Sequence, residues 1–423
     1  MENDYTKIAK QLGKYKTVQG LMQYINKETL TRQHKEQSNK KATGVDKVDK
    51  ARYGENLERN LEKLIKDMKT FTYKPQPVRR TYIPKANSDK LRPLGIPAYE
   101  DKLVQGAFAE VMEAIYEKIF LNCSYGFRPN RDCHQAVKEL DNIIMRKKVN
   151  FVVDADIKGF FDTVKHEWLI KFLEHTIDDV NFIRYIKRFL ISGVMDGGKF
   201  LDSEKGTPQG GLISPILANV YLHYVLDLWF KLDVKVRCKG EAYMVRYADD
   251  FVCCFELEED AIRFYQELKE RLGKFNLELA EDKSKIIPFG KNTENNKETF
   301  DFLGFTHKDS KGRTGYYKLL HSTSQKKLKE KKASAKQWIK RNIYLPINEL
   351  IKKLNVKLAG HYRYYGVSDN LSRLTSFVNY VKYQLYKRLK RRSQKDKTTL
   401  EKFWKILEYN PLAMPKIYFS LWK

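Results

Sequence analysis

Nowhere in the 423 residues do eighteen apolar residues run together, so no segment is expected to cross a membrane as a helix. The opening Met1-Glu2-Asn3-Asp4 lacks the basic and apolar regions of a signal peptide, and the chain reads as soluble and cytoplasmic. Cysteine is scarce. Cys123, Cys133, Cys238, Cys253 and Cys254 make no Cys-x-x-Cys pair, and their odd number argues against a disulfide framework. No cysteine/histidine cluster exists to hold zinc, and Cys253 and Cys254, inside an apolar stretch, read as reduced packing residues. Negative charge is also short: 53 Asp and Glu stand against 80 Lys and Arg, a formal net charge of +27. That excess calls for a polyanionic partner, and with no membrane segment the partner expected is nucleic acid.

Apolar residues at 42% and aromatics at 13% are enough for a globular chain, and its length suits two or three subdomains. The charge is uneven. From His321 to Lys423 there are 25 Lys and Arg against 6 Asp and Glu, so this quarter carries +19 of the +27. Aromatics interleave with it: Tyr362-Arg363-Tyr364-Tyr365, then Tyr380, Tyr383 and Tyr386 beside Lys382, Lys387 and Arg388. For any single residue a solvated helix face with core tyrosines is the commoner arrangement. For the region as a whole the charge density favours nucleic-acid binding, with Tyr362, Arg363, Lys387, Arg388, Lys390, Arg391 and Arg392 as the expected contacts.

Residues 1–70 read as helical and Lys-rich, with Leu57, Leu61 and Leu64 at helical spacing and a loop near Thr43-Gly44-Val45-Asp46. Prolines confine Tyr73 to Lys85 to extended conformations, and Val78 to Ile83 alternates like a strand. After a polar turn at Asn87-Ser88-Asp89, Leu91 to Pro97 returns, which predicts a β-hairpin. Asp101 to Phe120 follows as a helix. The divisions expected are residues 1–70, 71–150, 151–318 and the basic helical 319–423.

Two acidic stretches carry the chemistry. Phe151-Val152-Val153 opens a buried strand that delivers Asp154 and Asp156 to one face, because side chains alternate along a strand. Far along the chain, Tyr243-Met244-Val245 and Phe251 to Phe255 flank Ala248-Asp249-Asp250 as two apolar strands around a tight turn. Between these stretches lies Gly206-Thr207-Pro208-Gln209-Gly210-Gly211-Leu212-Ile213-Ser214-Pro215, a turn-rich segment opening a helix. A fold that joined the two stretches would gather three carboxylates at one point. Like charges at that spacing cannot all stay ionised alone, and magnesium with phosphate oxygens is the natural neutraliser. A lone Asp-Asp is usually an ordinary turn; three motifs in this order are not.

In that order the motifs resemble those of the reverse transcriptases encoded by bacterial group II introns. The resemblance covers about residues 40 to 390 and fades in the last thirty. It implies an α+β right-hand polymerase, with an antiparallel palm sheet, helical fingers and a helical thumb or maturase (X) domain. It implies RNA-directed DNA polymerisation with two Mg2+ ions, and as partners intron RNA and an RNA template, a DNA primer or target, and dNTPs. The carboxylate followed by Ile157 and Phe160-Phe161 is the family's metal ligand, which makes Asp156 and Asp249 the direct ligands, with Asp250 in support and Ile157 at the metal and nucleotide. Lys85 and Arg92 stand where the family clamps the triphosphate, Gln209 where it supports the nucleotide, and Phe161, with Phe160 competing, where an aromatic rejects a ribose 2′-hydroxyl. Lys283, in Leu277 to Lys285, is either an acid for pyrophosphate departure or a salt-bridge partner. The arginines of Ser124-Tyr125-Gly126-Phe127-Arg128-Pro129-Asn130-Arg131 either line the nucleotide pocket or brace the fold. Phe300 to Phe305 matches the strand that closes the palm, and Leu358 to Gly366 matches the thumb. Lys47 replaces a family glycine after Asp46, and the form without a zinc-dependent endonuclease is expected. Two rivals remain at this stage: a related reverse transcriptase serving phage defence or repair, and a non-catalytic RNA chaperone.

Overall fold

The structure, a computed structural model, describes residues 5–84, 91–202, 206, 210–293, 298–312, 315–392 and 398–421. Helices α1 (Thr6–Lys14), α2 (Lys27–Glu36), α3 (Lys50–Gly54) and α4 (Leu57–Lys69) come first. On α4 the leucine spacing works as read, since Leu61 and Leu64 are buried. The expected hairpin forms as β1 (Val78–Pro84) and β2 (Leu91–Ile96), antiparallel, with Arg79 opposite Ile96 and Ile83 opposite Arg92.

Helix α5 (Tyr99–Tyr116) is buried on nearly every side, which explains its apolar, weakly amphipathic sequence. Its buried Asp101, Lys102 and Gln105 are each paired. Asp101 accepts from the Tyr73 hydroxyl at 2.5 Å and the Gln76 N–H at 2.9 Å. Lys102 donates to the Ala42 carbonyl at 2.6 Å, and the Gln105 side-chain carbonyl accepts the Leu212 N–H at 3.0 Å.

The chain continues through α6 (Cys133–Arg146), β3 (Phe151–Asp156), α7 (Phe160–Thr163), α8 (His166–Glu174) and α9 (Val180–Leu190). A short pair, β4 (Val194–Asp196) and β5 (Lys199–Leu201), then joins the first hairpin in a mixed sheet ordered β2-β1-β4-β5, with β4 parallel to β1. Helix α10 (Ser214–Leu222) starts with Pro215 in its first turn, where the missing N–H costs nothing. Two π-helical turns, His223–Asp227 and Phe230–Val234, carry it on to α11 (Lys235–Arg237). Strands β6 (Ala242–Tyr247) and β7 (Asp250–Phe255), helix α12 (Glu258–Lys274) and β8 (Lys285–Pro288) complete a second sheet, ordered β6-β7-β3-β8. This sheet carries both acidic motifs.

Phe300 to Phe305, expected as one strand, is a turn between two. Leu303 and Gly304 adopt φ of 50° and 80°, so β9 (Thr299–Phe302) folds back onto β10 (Phe305–Lys311). With β11 (Tyr317–Thr323) they make a separate antiparallel sheet, β11-β10-β9. Helices α13 (Gln325–Asn342), α14 (Ile347–Tyr365), α15 (Leu371–Leu389) and α16 (Leu400–Tyr409) follow, and α15 packs against α13 and α14 through Leu374, Phe377, Val378 and Val381.

Two compact units divide the chain: residues 1–136, 153–253 and 257–286 form one, and residues 137–152, 254–256 and 287–423 the other. The acidic motifs and the first hairpin lie in the former, the basic helices in the latter. No helix among the described residues is long and apolar enough to cross a membrane.

Candidate active site

Val152, Val153 and Ala155 are buried in β3, which leaves Asp154 and Asp156 half-buried on one face, as alternation predicts. Strands β6 and β7 are neighbours joined by Ala248-Asp249, so Asp249 sits at a hairpin tip and Asp250 opens β7. Near the other end of the β3–β7 pair, the Asn150 N–H donates to the Phe255 carbonyl at 2.9 Å. Counting antiparallel strands residue by residue from that pair places Asp156 opposite Asp249. The electrostatics agree. Burial holds the Asp249 carboxyl above the usual range and the charge of Asp156 raises it further, while a backbone N–H and the guanidiniums of Arg92 and Arg246 pull it down. Arg92, on β2, therefore acts on the same point as the two carboxylates.

Asp156 has its own cation. A turn at residues 280–284, closed by the Lys283 and Ser284 N–H groups on the Ala280 carbonyl, sets the Lys283 ammonium 2.8 Å from the Asp156 carboxylate. The same segment pairs with the strand end, since the Ala280 N–H donates to the Asp156 carbonyl at 2.8 Å and the Lys158 N–H to the Glu278 carbonyl at 2.9 Å. Of the two roles open to Lys283, the structure shows the salt bridge. Ile157 is 2% exposed and bridges to Leu279, so only its main chain can face a ligand.

The three-carboxylate cluster does not assemble as expected. Among the described residues no three His, Cys, Asp or Glu side chains stand together at metal-holding spacing. Three like charges repel, and the structure instead couples two, Asp156 and Asp249, and balances Asp156 with Lys283. Asp250, half-buried, is engaged by other residues. A partly desolvated carboxylate pair with its charges facing each other is still a donor set that suits a hard divalent cation, with phosphate oxygens supplying further ligands.

Around this point, Phe160 is 2% exposed and its ring packs edge-on against Tyr221 at 6.2 Å, whereas Phe161 is half-buried. Gly210 has φ of 111°, and a Cβ there would lie 2.4 Å from the Gly95 carbonyl oxygen. The glycine motif is thus pressed against β2, the strand that carries Arg92. Lys85 and Gln209 lie outside the described residues. Of the two roles open to Arg128 and Arg131, the structure shows bracing: Arg128 forks onto Glu117 and caps the Leu121 and Ser124 carbonyls, and Arg131 holds Asn122 and the Ser124 carbonyl.

Sequence reasoning missed the group behind the turn. Arg246 is fully buried, and all five of its N–H donors are used: Nε and Nη2 on Asp227 at 2.7 and 2.6 Å, Nη1 on Asn219 and the Ala248 carbonyl at 3.0 and 2.9 Å, and Nη2 also on Ser124 at 2.8 Å. The available signal was a charged residue inside the apolar strand Tyr243 to Tyr247, and Asp227 in an apolar helical run.

Among the expected RNA contacts, Tyr362 is corrected. It is 1% exposed and donates its hydroxyl to the Ala413 carbonyl at 3.0 Å, because it lies on the face of α14 turned to the core. Arg363, Lys390, Arg391 and Arg392 are exposed, and Lys387 and Arg388, in the last turn of α15, are half-buried.

The sequence family of reverse transcriptases (RNA-dependent DNA polymerases) matches residues 83–307. The chain is 44% identical over 180 residues to the group II intron-encoded protein LtrA of Lactococcus lactis, a match that covers 42% of this chain but only 30% of LtrA. It is 33% identical over 323 residues to the protein YkfC of Escherichia coli, covering 69% of this chain and 82% of YkfC. A putative COX1/OXI3 intron 2 protein of Saccharomyces cerevisiae is 28% identical over 359 residues, which is 71% of this chain and 39% of that protein. The family match contains the first hairpin from Ile83 onward, both acidic motifs and the lysine turn that faces them, and by that match and the likeness to YkfC the chain belongs to the reverse transcriptase family.

Proposed function

We propose that the protein is an RNA-directed DNA polymerase of the group II intron type, which extends a DNA primer on an RNA template with dNTPs and also helps intron RNA to fold and splice. The observation that carries the reading is the electrostatic coupling of Asp156, at the end of β3, with Asp249, at the tip of the β6–β7 hairpin, under the field of Arg92. In this reading the β6-β7-β3-β8 sheet is the palm, the first hairpin belongs to the fingers, and α13 to α15 are the thumb. Relatives named as intron-encoded support the intron setting.

Asp156 and Asp249 would hold two Mg2+ ions, with Asp250 in support. Bound there, such ions would neutralise charge on the transferring phosphoryl group and would favour ionisation of the attacking 3′-hydroxyl. Arg92, with Lys85, counters the triphosphate charge and orients it for in-line attack, and Gln209 supports the nucleotide. Lys283, held on Asp156, is the candidate acid for the departing pyrophosphate. The basic surface of the last hundred residues supplies phosphate contacts for a large RNA. The test is primer extension on an RNA template beside splicing of the RNA that flanks the coding frame; extension without splicing assistance leaves a reverse transcriptase of another pathway, and neither activity sinks the reading.

Phe161, only partly buried, supports its assignment as the sugar gate, and the full burial of Phe160 argues against the competitor. Phe161→Ala is expected to raise incorporation of ribonucleotides relative to deoxyribonucleotides with folding intact, measured by single-nucleotide extension. Phe160→Ala is expected instead to destabilise the fold by about 3–5 kcal/mol, the cost of emptying a core aromatic site. Relaxed sugar selection in a stable Phe160→Ala protein would reverse the assignment.

A further inference from the structure

The turn that presents Asp249 is held in a conformation its sequence does not favour. Ala248 has φ of 58°, in the left-handed region that residues other than glycine, asparagine and aspartate rarely enter. Two groups keep it there. On one side the Arg246 Nη1 donates to the Ala248 carbonyl at 2.9 Å. On the other the backbone of Gly126 lies so close that a Cβ would come within 2.4 Å of the Ala248 nitrogen.

Stability alone does not account for the arginine. Both Arg246 and Asp227 are 0% exposed, and a buried ion pair gives little net stabilisation over apolar residues of the same volume. What the pair does provide is direction. With Asp227 gripping two edges of the guanidinium, and Asn219 and Ser124 taking further donors, the remaining N–H has one orientation, toward the Ala248 carbonyl. A lysine could not substitute, since one ammonium cannot span Asp227 and the turn with fixed fork geometry. Asn219 also donates to the Gly126 carbonyl at 2.7 Å, and the Arg246 backbone bonds Cys123 and Tyr125, so clamp and backstop form one network.

We propose that Arg246, fixed by Asp227, Asn219 and Ser124, is a positioning residue that locks the Ala248-Asp249 turn in its left-handed bend and thereby aims the Asp249 carboxylate at the cation shared with Asp156. The inference rests on the reading of Asp249 as a metal ligand, and the experiment separates the two. Mn2+ binding to the full-length protein, followed by the electron paramagnetic resonance of the free ion, is measured beside thermal unfolding and primer extension. Arg246→Lys is expected to weaken Mn2+ binding and lower kcat roughly 10–100-fold, the usual effect of losing a group that orients a ligand, with KM for dNTP nearly unchanged. Adding Ala248→Gly removes the penalty of the bend, so the double variant recovers about fivefold over Arg246→Lys alone, a larger gain than the same change gives in the wild-type background.

Gly126→Ala offers a route that leaves the five arginine bonds in place and pushes the turn from behind; it is expected to weaken Mn2+ binding comparably, and it decides the matter if Arg246→Lys does not fold. Folded Arg246→Lys with wild-type Mn2+ affinity, or unchanged binding in Gly126→Ala, overturns the clamp. If Asp249→Asn itself leaves Mn2+ binding unaltered, the metal site has been misread, and the clamp falls with it.

Discussion

Asp249→Asn is expected to reduce primer extension on an RNA template by about three orders of magnitude or more, since losing a metal ligand removes several kcal/mol of transition-state stabilisation and each 1.36 kcal/mol is a factor of ten. RNA affinity should barely move, because the basic surface lies elsewhere in the chain. Stability gives the more discriminating readout. Burial, then the charge of Asp156, raises the Asp249 carboxyl above its usual range. A carboxyl that holds its proton more tightly folded than unfolded costs stability as pH rises from the unfolded value through the folded one. That cost is fully present on the alkaline side of the window. Asparagine never carries it, so without metal the variant should melt no lower than the wild type at pH 8, and its stability should depend less on pH. An inactive protein that is equally or more stable is the signature of a residue kept for function. Extension at a comparable rate, measured in single-turnover assays, would refute the assignment of the site.

What the sequence made legible was local. The first hairpin could be read because prolines, alternation and a polar turn all agree within twenty residues, and the Asp249 turn because two apolar strands bracket it. The strand pair β4 and β5 was not anticipated: three residues on each side of Gly197-Gly198 are too short for a pattern, and their place in the sheet depends on a parallel partner more than a hundred residues upstream. The turn at Leu303-Gly304 escaped notice because leucine at φ of 50° is a conformation that no propensity suggests. Tyr362 was assigned to RNA from its neighbours' charge, whereas the helical period turns it to the core beside exposed Arg363. Arg246 was visible as an anomaly, but its meaning required the Ala248 carbonyl beside it together with Ser124, Asn219 and Asp227, which the chain supplies from two other segments. Long-range polar satisfaction is the part of the site that a linear reading does not reach.

Replacing Lys387, Arg388, Lys390, Arg391 and Arg392 together by glutamine should weaken binding to intron RNA and flatten its salt dependence. If each of the five meets a phosphate, the slope of log affinity against log salt should shrink by about 3.5–4.5, at 0.7–0.9 per contact depending on the form of the nucleic acid. The five are grouped where they can act together: Lys387 and Arg388 fall in the last turn of α15, and the other three follow directly after it. Their ties to the protein are slight. Lys387 lies over the Tyr383 ring at 5.9 Å, and Arg392 donates to the Tyr344 carbonyl at 3.3 Å, so most of their charge is available to solvent or phosphate. Some loss of stability is expected on other grounds, because cations in a last turn complement the negative end of the helix. A thermal melt separates that loss from binding. Splicing assistance should fall furthest, since it depends on holding a large folded RNA through many phosphates at once. Extension of a short pre-annealed primer should fall less, because that substrate is gripped at the carboxylates and Arg92. A filter-binding salt titration run beside both assays decides the point: an unchanged slope would make these residues a solvating face, and the charge of +19 in this quarter of the chain would then have to find its RNA through other lysines and arginines.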